Sequence, residues 1–253
     1  MISERRSQVA FMGISGLLFA ASVVVTTVWC GSMSKMRGMP MPGAWTMSMA
    51  WMRMPGQTWP GAVAAFLGMW IVMMAAMMLP SLIPVLRRYR EARLTGLVAA
   101  GYFFVWTVLG LPVFVLGSAL AAMEMREPAL ARAAPAAAAL TVLLAGALQF
   151  TRWKAHHLAC WRKTHACGCM PPADLNGAWR YGLRLGIRCC YCCASLTAVL
   201  LAVGVMDLRA MSVVTAAITA ECIAPNGQKM ARIVGYVVIA AGLLLTFRAT
   251  VPG

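Results

Sequence analysis

The sequence predicts an all-α fold, a polytopic transmembrane helical bundle of about seven helices. Of the 253 residues, 61% are hydrophobic and only 11% are charged, whereas about a quarter of the residues in a soluble domain are charged. The mean hydropathy is +0.76. The apolar residues are concentrated in uncharged runs, several of them close to the roughly 20 residues that a helix needs to cross a bilayer. The lipid bilayer is therefore the first predicted partner.

Six apolar runs are clear, and a seventh is shorter and weaker, so the sequence predicts six to seven helices. The first run is too long for the apolar core of a signal peptide, and no small-x-small cleavage pattern follows it. We divide the chain into an N-terminal helix with its outer loop (1–60) and a metal-binding membrane helical domain (61–253). The runs are 9–28, 61–86, 96–123, 136–150, 193–206, 235–247 and the weaker 210–224.

The basic residues predict the orientation of the chain. If the N-terminus is cytoplasmic and seven segments alternate, 15 of the 22 basic residues fall on the cytoplasmic side, as the positive-inside rule requires. We therefore predict a multi-pass protein of the cell inner (plasma) membrane with a cytoplasmic N-terminus. The net charge of +15 is explained by basic residues that orient the chain in the membrane and contact anionic lipid headgroups. Because no basic residues alternate with aromatic ones as in a binding platform, we expect no nucleic-acid partner.

Four cysteines in the segment RCCYCC (188–193) are the strongest chemical signal. The cytoplasm keeps thiols reduced, so structural disulfides are not expected at the inner end of a helix. On a helix, Cys189, Cys192 and Cys193 share one face, while Cys190 lies at its edge. Such a face presents two or three sulfur atoms to one soft metal ion. The alternative is that these small side chains only pack inside the bundle.

A second group of histidines and cysteines lies between 156 and 169. Its composition is typical of metal binding, and His157 and Cys160 are its candidate ligands. The spacing does not match a zinc finger, because no second C-x-x-C pair stands at the required distance. Solvated loop histidines and free thiols are the alternative interpretation.

Methionines favour copper among the soft metal ions. Met69, Met73 and Met77 are four residues apart on one face of the second predicted helix, and Met74 and Met78 form a neighbouring row. The outer loop 29–59 holds eight methionines without helical or strand periodicity. Thiolate and thioether are soft ligands that select Cu(I). The alternative for the helical stripe is core packing.

Nucleotide-driven enzymes are excluded by the absence of phosphate-binding motifs. The sequence contains neither G-x-x-x-x-G-K-[ST] nor G-x-G-x-x-G. Glu221 is the acidic residue that lies within or at the end of an apolar segment, next to Cys222, and an intramembrane acid is a functional candidate by default. Glu221 is equally compatible with an ordinary charge at the inner interface.

Five segments together resemble the predicted metal-binding integral membrane proteins, a domain-of-unknown-function family described as copper chaperones for tyrosinase-type copper enzymes. The matching motifs are A-M-M-L-P, the cysteine motif with Gly186, Cys189, Cys192 and Cys193, and G-V-M-D-L. Gln149 and Lys154 also match, but His157 stands where many relatives have a cysteine. The segments are MWIVMMAAMMLPS (69–81), GYFFVWTVLG (101–110), AGALQFTRWK (145–154), GLRLGIRCCYCCASLTAVLLAVGVMDLRAM (182–211) and TAAITAEC…G (215–227).

Residues and resemblance together predict a Cu(I)-binding membrane protein that delivers copper to a copper-dependent partner enzyme and is not itself an enzyme. The runner-up is a membrane thiol-disulfide oxidoreductase that uses C-x-x-C, and the third class is a structural subunit of a larger membrane complex. The candidate metal ligands are Cys189, Cys190, Cys192, Cys193, Met73, Met77, Met78, His157, Cys160, Cys222 and Glu221.

Overall fold

The computed structural model describes residues 2–35, 38–42, 45–53, 56–87, 92–166 and 174–250. In these ranges the backbone forms eight α-helices and one β-hairpin. The hairpin pairs β1 (Met39–Met41) with β2 (Trp45–Met47), and a short 3₁₀ helix (Met49–Trp51) follows. The helices are α1 (Ile2–Lys35), α2 (Trp59–Leu86), α3 (Ala92–Arg126), α4 (Pro128–Leu148), α5 (Arg152–Ala166), α6 (Leu175–Val203), α7 (Leu208–Ile223) and α8 (Gly227–Thr250).

Six of these helices, α1, α2, α3, α4, α6 and α8, are long and apolar enough to cross a membrane. Large apolar side chains such as Leu17, Val115 and Leu244 are exposed on their outer surfaces. A soluble protein rarely exposes so much apolar surface, whereas lipid covers it without cost. The prediction of an all-α membrane bundle is confirmed.

Helix α7 has 16 residues and corresponds to the weak sixth segment. It begins after a turn at Gly204, whose φ of 137° lies in the region that favours glycine. The Asp207 carboxylate caps the helix by accepting hydrogen bonds from the N–H groups of Arg209 and Ala210. The chain then turns into α8, where Gly227 packs against Arg162 of α5. Helix α7 therefore returns to the end of the bundle at which α5 lies, called here the α5 end; the opposite end is called the hairpin end.

The apolar runs 136–150 and 193–206 predict a cytoplasmic loop at 151–187 between two spans, and this prediction is wrong for the described residues. Helix α5 buries Lys154, Leu158 and Trp161, which follow the i, i+4, i+7 spacing of a helix face. Helix α6 begins at Leu175, where the Asp174 carboxylate accepts from the Gly177 N–H, and not at 193 as the sequence analysis expects. The four cysteines of RCCYCC thus lie in the middle of a helix of 29 residues and not at its mouth.

The outer methionine-rich segment is also more ordered than its sequence suggests. Met39 faces Met47, and Met41 faces Trp45, in the antiparallel hairpin. Met41 and Met47 are buried with Ala121 and Ala131 in a small apolar cluster. The expectation of an irregular loop is therefore wrong for this part of the segment, because two of its methionines are core residues. Met36 and Met54 lie outside the described residues.

Helices α2 and α6 form the centre of the bundle. In their most apolar windows 56% and 44% of the residues are buried, against at most 28% in the other four candidate spans. Helix α3 approaches α6 closely at Gly186, where an added Cβ would lie 2.9 Å from the Tyr102 carbonyl oxygen. Small residues permit such approach between membrane helices. The contact brings the Tyr102 side chain to the cysteine face of α6.

Candidate metal site

Three cysteines of α6 share one buried face. Cys189, Cys192 and Cys193 are 1%, 1% and 2% exposed, whereas Cys190 is only partly buried. Cys189 Sγ lies 3.7 Å from Cys193 Sγ, one helical turn away. This arrangement is the one that the helical spacing predicts. The face points into the centre of the bundle, away from lipid.

Two further sulfur atoms come to this face from other helices. Cys222, at the end of α7, packs in the same buried core cluster as Cys192 and Cys193. Met78, in α2, lies with its Sδ 3.9 Å from Cys189 Sγ. The five sulfur atoms of Cys189, Cys192, Cys193, Cys222 and Met78 are called the sulfur cluster below.

The sulfur cluster is a set of neighbouring side chains and not a closed cage. In the part of the chain that the structure describes, no group of three or more His, Cys, Asp or Glu residues is arranged so that it could hold a metal ion. A metal ion would replace thiol hydrogen bonds such as Cys189–Cys193 with bonds to thiolates, since the thiolate is the metal ligand.

Tyr102 is a neighbour of the cluster that the sequence analysis does not single out. Its hydroxyl donates a hydrogen bond of 3.0 Å to Cys189 Sγ, and its side chain is fully buried. In the sequence it is one aromatic residue within an apolar run. The only signal is that its segment, 101–110, belongs to the family resemblance.

A buried ion pair lies beside the cluster. Lys154 Nζ is 2.6 Å from Glu221 Oε2 and donates to the Cys192 carbonyl oxygen at 2.7 Å, while Gln149 Nε2 donates to Glu221 Oε1 at 3.0 Å. Burial by itself lowers the pKa of Lys154, but the Glu221 carboxylate outweighs it, so this pKa is raised above its ordinary value. Lys154 therefore stays cationic. The carboxylate of Glu221, a predicted ligand, is engaged by Lys154 and Gln149.

The other predicted methionines lie deeper in α2. Met73 and Met77 are 1% and 2% exposed, and with Met69 they form a row of side chains one turn apart, about 6 Å from each to the next. The row leads from the sulfur cluster toward the hairpin end. Near that end Cys30 Sγ donates to Met206 Sδ at 3.8 Å, a pair that the sequence analysis does not identify.

The histidine and cysteine candidates of α5 lie elsewhere. The His157 ring stacks on Tyr191 with a centroid distance of 5.1 Å, and Tyr191 is on the exposed side of α6, 50% accessible. Cys160 Sγ lies 3.5 Å from His156 Nε2. The structure therefore brings Cys160 to a histidine and His157 to an aromatic ring, rather than bringing both to the sulfur cluster. Cys167, Cys169 and the side chain of His165 lie outside the described residues.

Fold and site together define a multi-pass membrane protein whose central helices bury thiols beside a thioether. Residues 67–245 match the family model PpoB2, described as a copper chaperone. The match covers more than half of the chain, so the protein belongs to this copper chaperone family, and the resemblance seen in its sequence is confirmed. No curated protein matches the chain, and no solved structure does.

Proposed function

We propose that the protein binds Cu(I) at the sulfur cluster and transfers it to a copper-dependent partner enzyme. The observation that carries this proposal is that four cysteines and one methionine from α2, α6 and α7 pack in one buried cluster, in which Cys189 Sγ lies 3.7 Å from Cys193 Sγ and 3.9 Å from Met78 Sδ. Thiolate and thioether ligands select Cu(I) over harder divalent ions. Membership of a copper chaperone family supports a copper-handling role without catalysis.

The surroundings of the cluster favour Cu(I) over Zn²⁺. Met78, a fully buried thioether, lies 3.9 Å from the central thiol of Cys189. Zinc sites use thiolate, imidazole and carboxylate ligands and not thioether, and here Glu221 is paired with Lys154 and His157 stacks on Tyr191. Four thiolates alone could hold zinc, so the thioether of Met78 beside Cys189 is the feature that favours Cu(I).

Lys154 supplies the charge that a loaded cluster requires. Two or three thiolates bound to one Cu(I) carry a net negative charge, and a buried uncompensated charge is costly. The ammonium of Lys154 is held at the Cys192 carbonyl oxygen, and Glu221 balances it in the unloaded state. We infer that, when Cu(I) displaces the protons of two thiols, one proton passes to Glu221 and the other leaves the site, so that Lys154 then balances the anionic copper form.

The methionines of α2 provide a path for the ion through the bundle. Met77, Met73 and Met69 continue from the cluster at steps of about 6 Å, and all three are buried. Exchange between soft sites with two or three ligands needs no nucleotide. With a cytoplasmic N-terminus, the α5 end lies in the cytoplasm and the hairpin end faces the partner enzyme. In the division of the chain made from the sequence, residues 61–253 bind and move the metal ion, and residues 1–60 present it to the partner enzyme.

A thiol-disulfide oxidoreductase is the second candidate, favoured by the 3.7 Å contact between Cys189 and Cys193. Detergent-purified, fully reduced protein should be analysed for bound copper and for thiol-disulfide exchange. The comparison is between the natural protein and a variant with Cys189, Cys192, Cys193 and Cys222 all changed to serine. Loss of copper from a variant with unchanged helix content supports the chaperone. Copper-free natural protein with exchange activity that the variant lacks supports the oxidoreductase instead.

A further inference from the structure

A cavity opens at the α5 end and leads to the sulfur cluster. Its volume is about 760 Å³, and it lies between the end of α2, α5 and the turn from α7 to α8. Ligand sites for small molecules commonly enclose roughly 300–1,000 Å³. Cys222 lines this cavity and packs in the same buried cluster as Cys192 and Cys193. A molecule in the cavity can therefore reach a thiol of the cluster.

The charged lining of the cavity is cationic. Arg162, Lys163, Lys229 and Arg232 contribute to the wall, and no acidic residue does so among the described lining residues. Lys163, Lys229 and Arg232 are exposed. Arg162 has a structural task, since its Nη2 donates to the Pro225 carbonyl oxygen at 2.6 Å and so joins α5 to the turn between α7 and α8.

This charge opposes the passage of a bare copper ion. Four positive groups around one opening raise the energy of an approaching cation and lower that of an anion. A copper ion that passes here is therefore favoured when its ligands give the complex a net negative charge. The thiol of Cys222 lines the same cavity and can take Cu(I) from a carrier that holds the ion through sulfur, because sulfur ligands suit Cu(I).

We propose that the cavity binds Cu(I) as a complex with a small thiol that carries carboxylates. This inference rests on the proposed function and names the form in which the cargo is exchanged. In the exchange a bond forms between Cys222 Sγ and Cu(I), and one carrier sulfur–Cu(I) bond breaks. The proton of the Cys222 thiol passes to the departing carrier thiolate, and copper remains Cu(I). The carboxylates of the carrier pair with Lys163, Lys229 and Arg232 during this step.

The test compares two copper donors on protein held in nanodiscs of neutral phosphatidylcholine and, in a second set, in nanodiscs that contain anionic phosphatidylglycerol. One donor is the anionic Cu(I)–glutathione complex, and the other is cationic Cu(I) in acetonitrile. The variant Lys163→Gln/Lys229→Gln/Arg232→Gln removes three positive charges from the cavity and leaves Arg162 in place. The matched control, Arg126→Gln/Arg209→Gln/Arg248→Gln, removes three exposed charges elsewhere on the chain.

We expect the cavity variant to take copper from the glutathione complex about tenfold more slowly than the natural protein, at the low end of electrostatic steering effects. Its loading from acetonitrile should not be slowed, and the control should behave like the natural protein. Equal rates from glutathione in all three proteins would overturn the inference while leaving the proposed function intact. A difference that appears only in nanodiscs of anionic lipid would also overturn it, because the cavity would then hold a lipid headgroup. If the natural protein takes up copper from neither donor, the proposed function itself is refuted.

Discussion

The Tyr102 hydroxyl donates a hydrogen bond of 3.0 Å to Cys189 Sγ across the interface between α3 and α6. Both side chains are almost fully buried, so water cannot replace the donor if it is removed. A hydrogen bond to a thiolate stabilises the charged form of the sulfur. We therefore propose that Tyr102 supports the metal site, although it is not one of the predicted ligands.

Replacing Tyr102 with phenylalanine should weaken copper binding. The ring keeps its packing, while the Cys189 thiolate loses a donor, and hydrogen bonds to charged groups contribute about 1.5–3 kcal/mol. We expect Cu(I) affinity to fall by roughly tenfold or more, measured by competition with a chromogenic chelator. Tyr236→Phe, at an exposed tyrosine of α8, is the control. Unchanged affinity in Tyr102→Phe would show that Cys189 does not bind the metal ion as a thiolate.

Gly186→Ala should separate α3 from α6. Its Cβ would lie 2.9 Å from the Tyr102 carbonyl oxygen and 2.9 Å from Val105 Cβ, and overpacking of this kind costs about 1–3 kcal/mol. We expect a lower unfolding temperature in detergent and weaker copper binding. Gly68→Ala is the matched control, because its Cβ meets nothing within 4 Å. Equal stability of the two variants would contradict the close helix contact.

Lys154→Met should destabilise the protein strongly. It leaves the Glu221 carboxylate buried without its cation, and breaking a buried pair in this way costs about 3–5 kcal/mol. The double variant Lys154→Met/Glu221→Gln removes both charges and should recover most of the stability. Copper binding by the double variant should stay weak, because the charge that compensates the thiolates is gone. Natural copper affinity in the double variant would show that Lys154 has only a structural role.

The sequence predicts the membrane helices better than it predicts the elements between them. Uncharged runs identify the spans because every turn of such a helix faces lipid or core. The polar stretch 152–166 looks like a loop, and the buried spacing of Lys154, Leu158 and Trp161 becomes evident only when a buried lysine is allowed. The start of α6 was predicted too late. Three arginines, Arg180, Arg184 and Arg188, lie on the exposed side of this helix, and they hide its apolar face in the sequence.

Only the part of the candidate metal site that lies within helix α6 was predictable from the sequence. The spacing of Cys189, Cys192 and Cys193 defines their shared face without knowledge of the neighbours. The approach of Met78 and Cys222 depends on how α2 and α7 pack on α6, which no local pattern encodes. The contact from Tyr102 depends in the same way on the glycines that let α3 come close. Lys154 and Gln149 were matched to the family, but nothing in their spacing connects them to Glu221.

The path of α7 gives a test of topology. Because α7 returns to the α5 end, α8 starts there, and its Gly242 packs against Leu143 of the antiparallel α4. With a cytoplasmic N-terminus, reporter fusions after residues 40, 90, 130 and 170 should be outside, inside, outside and inside. A fusion after residue 250 should be outside. A cytoplasmic reporter at 250 together with the other four results would mean that α7 does not cross the membrane.

Copper content in single serine variants shows directly whether the sulfur cluster binds Cu(I). Each variant is purified under reducing conditions, loaded with one equivalent of Cu(I) and dialysed against a competing chelator before metal analysis. The account predicts that Cys189→Ser, Cys192→Ser, Cys193→Ser and Cys222→Ser lose most of their copper. Cys190→Ser, at the edge of the same helix face, and Cys160→Ser, beside His156, should keep nearly all of it. Full retention of copper in the first four variants would mean that these cysteines only pack the core, and the account of a sulfur cluster that carries copper would be refuted.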